Sequence, residues 1–194
     1  MSSSAGAVAV LGPACVLVAK VVEHALSSGR TVVTGPSPCV RHTALPAGCP
    51  DLQEISAGAI HTVVVVVDAD CAARSLVDGN GRASWRRRGR CARDTADAAV
   101  DAVLGGGARR LVVACQLRGL APNRRSAAQA WLRDVVHRVH YECAINGTTE
   151  LSSHYALVGN DSDVDRVAGA VATWGVRTGR PALISSGSSV PASP

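Results

Sequence analysis

The chain has 194 residues, 47% of them hydrophobic, and a mean hydropathy of +0.17, which suits one globular domain with a core large enough to fold alone. The formal net charge is +5, but basic charge indicates a nucleic-acid partner only where it clusters, and no apolar run approaches the roughly 20 residues of a membrane span. Seven cysteines, an odd number without C-x-x-C spacing, disfavour a secreted disulfide scaffold, so we expect free thiols and a cytoplasmic location.

The first half of the chain predicts a β-α-β unit after a short lead-in. Residues 1–6 are small and polar and are expected to be flexible. AVAVL (7–11) and TVVTG (31–35) predict strands, and the apolar residues between them recur at helical spacing up to Gly29.

The rest of the chain continues the alternation of strands and helices. HTVVVVVDAD (61–70) contains five consecutive valines, which predict a parallel strand covered on both faces. The further expected elements are a short strand near 51–55, a helix over 94–107, a strand at 109–116, a helix over 126–145 capped by Ser126, a strand at 154–159, a helix over 162–174 capped by Ser162, and a strand at 180–185. A disordered tail is expected over 187–194.

This alternation over residues 7–186 predicts one compact α/β domain, doubly wound around a mostly parallel, Rossmann-type sheet. In that architecture, ligands lie beyond the carboxyl ends of the strands, near the point where the strand order reverses.

Three segments carry a resemblance to a known family: VAVLG…VVEHALSSGRTVV, DAAVDAVLGGGARRLVVACQ and HYALVGNDSDVDRVAGAVA. In order and spacing, over residues 7–186, they resemble the atypical short-chain dehydrogenases, a group that includes NmrA-like regulators and single-domain NAD(P)H-binding reductases. The resemblance implies a Rossmann fold with NAD or NADP as cofactor.

The chain departs from that family at the cofactor site. The family motif Gly-x-x-Gly-x-x-Gly falls on Gly12, Cys15 and Val18, so only the first glycine is kept and we expect Val18 to push the helix outward. The resemblance places the cofactor against Gly12, Pro13, Ala14, Cys15 and Gln116, with Arg41 as the nearest candidate for a 2′-phosphate. The cofactor site is therefore either altered or lost.

Two aspartates and a cysteine at predicted strand ends are the first catalytic candidates. Asp68 and Asp70 follow the valine strand, where carboxylates perform acid–base chemistry or cap the next segment. Cys115 ends another strand and is either a nucleophile or a small buried hydrophobe.

His140 and Tyr141 are candidates on the long predicted helix. Short-chain dehydrogenases keep a Tyr-x-x-x-Lys pair near this place, but position 145 is Ile145, so His140 becomes the candidate acid or base beside Tyr141. The spacing of His137 and His140 would suit a metal, but no third ligand can be assigned, and no metal site is expected.

The run RASWRRRGR (82–90) is interpreted as a solvated, mobile loop, with a phosphate- or partner-binding surface as the alternative. The sequence as a whole favours an enzyme acting on a small molecule, by NAD(P)H-dependent reduction or by a redox-neutral acid–base step such as cyclisation, isomerisation or dehydration. The alternative is a non-catalytic, NmrA-like sensor or partner-binding subunit. A homodimer is compatible with either hypothesis; nucleic acid and membranes are not expected partners.

Overall fold

The computed structural model describes residues 6–38, 60–76, 82–118 and 123–174. The strands are β1 (Ala7–Leu11), β2 (Val32–Gly35), β3 (Ile60–Val67), β4 (Arg110–Gln116) and β5 (Ser152–Val158). The helices are α1 (Val16–Ser27), α2 (Ala69–Leu76), α3 (Arg82–Gly106), α4 (Asn123–Ile145) and α5 (Asp161–Thr173).

The five strands form one parallel sheet in the order β2-β1-β3-β4-β5. β3 lies at its centre, with Val64 level with Val10 of β1 and Val112 of β4. Parallel strands need helical crossovers, and these helices cover both faces of the sheet. The predicted doubly wound α/β domain is confirmed.

The valine block in β3 supplies both halves of the core. Val63, Val65 and Val67 pack on the face covered by α2, α3 and α4. Val64 and Val66 point the other way, toward α1 and α5. Successive side chains of a strand alternate between faces, so an uninterrupted valine run is what a strand buried on both sides requires.

Glycines end two of the helices as expected. Gly29 follows α1 with a φ of +72°, and the N–H of Arg30 donates to the carbonyl oxygen of Ala25 at 3.1 Å. Gly107 follows α3 with a φ of +66°. Glycine takes this left-handed conformation without the steric cost that a Cβ imposes, which explains why both helices stop where they do.

Several predicted boundaries are wrong. Residues 82–90 form the first turns of α3 and not a loop, since the run has no proline and is rich in arginine, a good helix former. α4 begins at Asn123, so Ser126 lies inside the helix. The valine strand ends at Val67, before Asp68, as predicted, but the sequence pattern predicts no helix where α2 follows it. The strands expected near 51–55 and at 180–185 lie outside the described residues, as do the predicted flexible tail and most of the lead-in.

The strand order reverses beside β1. From β1 the chain passes to β2 on one side, while β3, β4 and β5 follow on the other. The carboxyl edge of β1 and β3 is therefore the point where this architecture opens a crevice for ligands. Within the described residues, no helix combines the length and apolar character needed to cross a membrane.

Candidate functional site

A cleft of about 250 Å³ opens at the carboxyl edge of the sheet, between the N-terminal ends of α1 and α5. It is lined by Cys15, Val16, Ala69, Gln116, Arg118, Val158, Gly159, Asn160, Asp161 and Val164. The lining thus comes from the ends of β4 and β5 and from the starts of α1, α2 and α5. Proteins with a doubly wound sheet bind their ligands at this location.

The start of α1 borders the cleft without a polar side-chain cap. Cys15 is the N-cap residue, its backbone is extended, and its side chain makes no capping hydrogen bond. The first turn carries no acidic residue, and Val16 is 57% exposed. The partial positive charge of this helix end is therefore not offset by a carboxylate of its own first turn.

The Cys15 thiol is half-buried in the cleft wall. Burial raises its pKa, and the charge of Asp68 adds to the effect. The backbone N–H groups of Val18 and Leu17 act in the opposite direction, because they favour the thiolate. Since burial is the largest of these effects, the thiol is a weak nucleophile at neutral pH.

Gly12 is required by packing between strands. A Cβ at this position would lie 2.9 Å from the Cβ of Val66 and 3.2 Å from its carbonyl oxygen. It would also lie 3.1 Å from Cγ2 of Val18, which is 4% exposed and packs over Gly12. Val18, in the place of the family's third glycine, is accommodated in the core. Pro13 is buried and Ala14 is exposed beside it.

Asp68 caps α2. Its Oδ1 accepts a hydrogen bond from the backbone N–H of Cys71 at 2.6 Å, which satisfies one of the free donors of the helix start. Of the two roles that the sequence left open, the cap is the one for which the structure gives a contact. Asp70 is exposed in the first turn of the same helix.

The start of α5 is held by a network of short polar contacts. Oδ1 of Asn160 accepts from the N–H of Asp163 at 2.9 Å and from the hydroxyl of Ser162 at 2.7 Å. The carboxylate of Asp163, 7% exposed, accepts from the N–H of Gly159 at 2.9 Å and pairs with Arg166. Asn160 is therefore the N-cap, and the expectation that Ser162 caps this helix is wrong.

An ion pair borders the cleft where β4 ends. Nη1 of Arg118 lies 3.4 Å from Oδ1 of Asp161, and about three quarters of each side chain is exposed. Pairs this exposed contribute little to stability and weaken further with salt. The contact does keep the guanidinium of Arg118 next to the start of α5.

The last two residues of β4 point to opposite faces of the sheet. Gln116 is half-buried and lines the cleft. Cys115 is fully buried on the other face, where burial raises the pKa of its thiol to about 12. A thiol that stays protonated at neutral pH fits the small-hydrophobe interpretation of Cys115 better than the nucleophile interpretation.

The structure does not bring His140 and Tyr141 to the cleft. α4 runs from the carboxyl edge of the sheet, after β4, to the amino edge, where β5 begins. At 1.5 Å per residue, Tyr141 lies about 27 Å along the helix from Asn123. His140 is exposed and Tyr141 is 67% exposed, and both lie far from Gln116 and the rest of the cleft lining.

Arg41, the candidate for a 2′-phosphate, lies outside the described residues. Across the described part of the chain, no group of three or more His, Cys, Asp or Glu side chains is arranged to hold a metal ion.

Comparison with protein-family models and with curated proteins gives no match for the chain. The resemblance to atypical short-chain dehydrogenases therefore remains a prediction, as do the small-molecule substrate, the homodimer and the cytoplasmic location.

Sequence reasoning missed two features of the cleft. Arg118 and Asp161 form an ion pair although they lie 43 positions apart in the chain, so no local sequence pattern predicts the contact. Asn160 as N-cap had a visible signal, because Asn160 and Asp163 stand at the N-cap and N3 spacing of a capping box, with Asp in the place of the usual Glu or Gln.

Proposed function

We propose that the protein binds a nicotinamide dinucleotide, NADH or NADPH, in this cleft and uses it to reduce a small organic substrate. The supporting observation is the N-terminus of α1, which faces the cleft with neither a side-chain cap nor an acidic residue in its first turn. The N-termini of α2 and α5 at the same edge are capped by Asp68 and Asn160. A phosphate group suits a helix end left without such a partner.

The residues around α1 fit a phosphate in part. Gly12 keeps the tight passage from β1, but the side chain of Cys15 lines the cleft where a glycine would let a phosphate touch the backbone. The phosphate therefore has to lie beside the sulfur. A cleft of about 250 Å³ is slightly smaller than most ligand pockets, which begin near 300 Å³, so it suits one part of the dinucleotide. We expect micromolar affinity.

Reduction is preferred to a redox-neutral reaction because the acid–base and nucleophile candidates near this edge of the sheet are already engaged or buried. A bound nicotinamide supplies the hydride, so the protein has to bind and orient its ligands more than it has to transfer protons. Asp68 caps α2, Asp163 is tied to Gly159 and Arg166, and Cys115 is a buried thiol. The amide of Gln116 remains to orient a substrate carbonyl from the end of β4.

The second candidate is a non-catalytic sensor or partner-binding subunit. The observation that favours it is the same engagement of the carboxylates at this edge of the sheet, which are held by backbone N–H groups or by arginines. Such a cleft recognises a ligand without converting it.

The first experiment is calorimetric titration of the full chain with NADPH and NADH, together with mass spectrometry of molecules that co-purify. Two matched variants locate the binding: Val16→Glu puts a carboxylate at the start of α1, and Leu26→Glu puts one at its far end. Val16 and Leu26 are 57% and 56% exposed, so neither change disturbs the core.

We expect Val16→Glu to weaken binding by about tenfold or more, because the new charge repels the phosphate and occupies the helix end. Leu26→Glu should bind like the wild type. If wild type binds neither nucleotide, the reductase proposal is rejected and the sensor becomes the leading candidate. If both variants lose affinity equally, the site is not at the start of α1.

A further inference from the structure

Two buried thiols on neighbouring helices lie in contact behind the sheet edge that carries the cleft. Sγ of Cys71, on α2, is 3.5 Å from Sγ of Cys91, on α3. The two residues are 4% and 9% exposed, and no disulfide joins them. Neither residue belongs to the cleft lining, so the nucleotide proposal leaves the pair unused.

The separation of the two sulfurs makes a disulfide accessible by a small movement. A disulfide holds its sulfurs about 2.05 Å apart, so the pair has to approach by about 1.5 Å. α2 is a helix of eight residues, and the side chains of Cys71 and Cys91 already converge. A slide of α2 along α3, or a change of one χ1 angle, supplies that distance without rebuilding the core.

We propose that Cys71 and Cys91 are an oxidation site, converted to a reversible disulfide by a peroxide. In the first step one thiol releases its proton and its sulfur attacks a peroxide oxygen; the O–O bond breaks, a sulfenic acid forms, and the leaving hydroxide takes up the proton as water. In the second step the other thiol attacks that sulfur, the S–S bond forms, and the hydroxyl leaves as a second water. The two thiols lose two electrons and two protons, and the peroxide is reduced to water.

The third thiol of this region is not expected to compete. Cys115 lies close enough for Cys71 and Cys91 to influence its titration, but it is fully buried in the sheet. Its side chain extends from a strand paired on both sides, so it cannot slide as α2 can.

The position of α2 connects the thiol pair to the cleft. Ala69, its first residue, lines the cleft, and Asp68, three residues before Cys71, anchors its N-terminus. A disulfide that moves α2 toward α3 therefore displaces one wall of the cleft. The oxidation site itself does not depend on which ligand the cleft holds.

The test is peptide mapping of the full chain under non-reducing conditions after exposure to hydrogen peroxide. We expect a linked peptide pair containing Cys71 and Cys91, with the loss of two hydrogen atoms, formed over minutes to hours and reversed by dithiothreitol. The loop between the two residues is long enough for the disulfide to raise the Tm by about 6 to 12 °C.

Variants assign the linkage. Cys71→Ser and Cys91→Ser should each abolish the linked pair, while Cys143→Ser, which changes a buried thiol on α4, should leave it unchanged. The wild-type peptide map tests the proposal by itself, even if a variant does not fold. The proposal is overturned if peroxide oxidises Cys15 while no Cys71–Cys91 peptide appears, or if cysteines link at random.

Discussion

Replacing Asp68 separates its capping role from a catalytic one. Its Oδ1 accepts from the Cys71 N–H at 2.6 Å, so Asp68→Ala removes an N-cap and should lower the free energy of unfolding by about 1 kcal/mol. For a chain of this size the Tm should fall by about 2 to 4 °C. Asp68→Asn keeps an oxygen at the same place, so its free energy of unfolding should lie within a few tenths of a kcal/mol of the wild-type value.

Thermal and urea denaturation of the three proteins measure this difference. Asp70→Ala is the matched control, since Asp70 is exposed in the same helical turn and interacts mainly with the helix dipole. A loss in Asp68→Asn as large as that in Asp68→Ala would contradict the capping argument. If Asp68→Asn folds normally but loses about 10²-fold in turnover on an identified substrate, the carboxylate is an acid or base as well as a cap.

Three further measurements test the structure at other places. Gly12→Ala should destabilise the fold by about 1 to 3 kcal/mol, since the new Cβ meets Val66 backbone as well as side chain, and urea denaturation would detect it. Burial, with arginines nearby, lowers the pKa of His61 in the folded protein. Just below about pH 6.5, the His61 imidazole is therefore protonated in the unfolded chain but not in the folded one. The free energy of unfolding should fall as the pH falls through this value, and it should fall less in His61→Gln. Iodoacetamide followed by mass spectrometry should label Cys15 well before Cys115; equal rates would contradict the burial of Cys115.

The fold was predictable because its strongest signals are local. The five valines of β3 identify a strand buried on both faces without any tertiary information. Gly29 and Gly107 mark helix ends through their backbone conformation alone. These features persist in any packing of the chain, and the parallel sheet follows from their alternation.

The site was less predictable because it depends on distances between segments. α4 begins after β4, at the carboxyl edge of the sheet, yet its length carries His140 and Tyr141 to the opposite edge. The basic run over 82–90 is as polar as a loop, but the helix propensity of its arginines prevails and it forms the start of α3. The first error could not be corrected from periodicity, which identifies an element but not the edge of the sheet at which a residue lies.

Polar residues at the carboxyl edge of a parallel sheet always have two explanations. The edge that binds ligands is also where the next helix begins, so an Asp or Asn there can serve the ligand or satisfy the helix's own N–H groups. Hydrogen-bond geometry separates the two, and Asp68 and Asn160 serve their helices. Cys15 stands in the equivalent place on α1 without making such a bond. The informative residue at this edge is therefore Cys15, because its sulfur is a weak acceptor for the nearby N–H groups of Leu17 and Val18, whereas Asp68 and Asn160 offer oxygens to theirs.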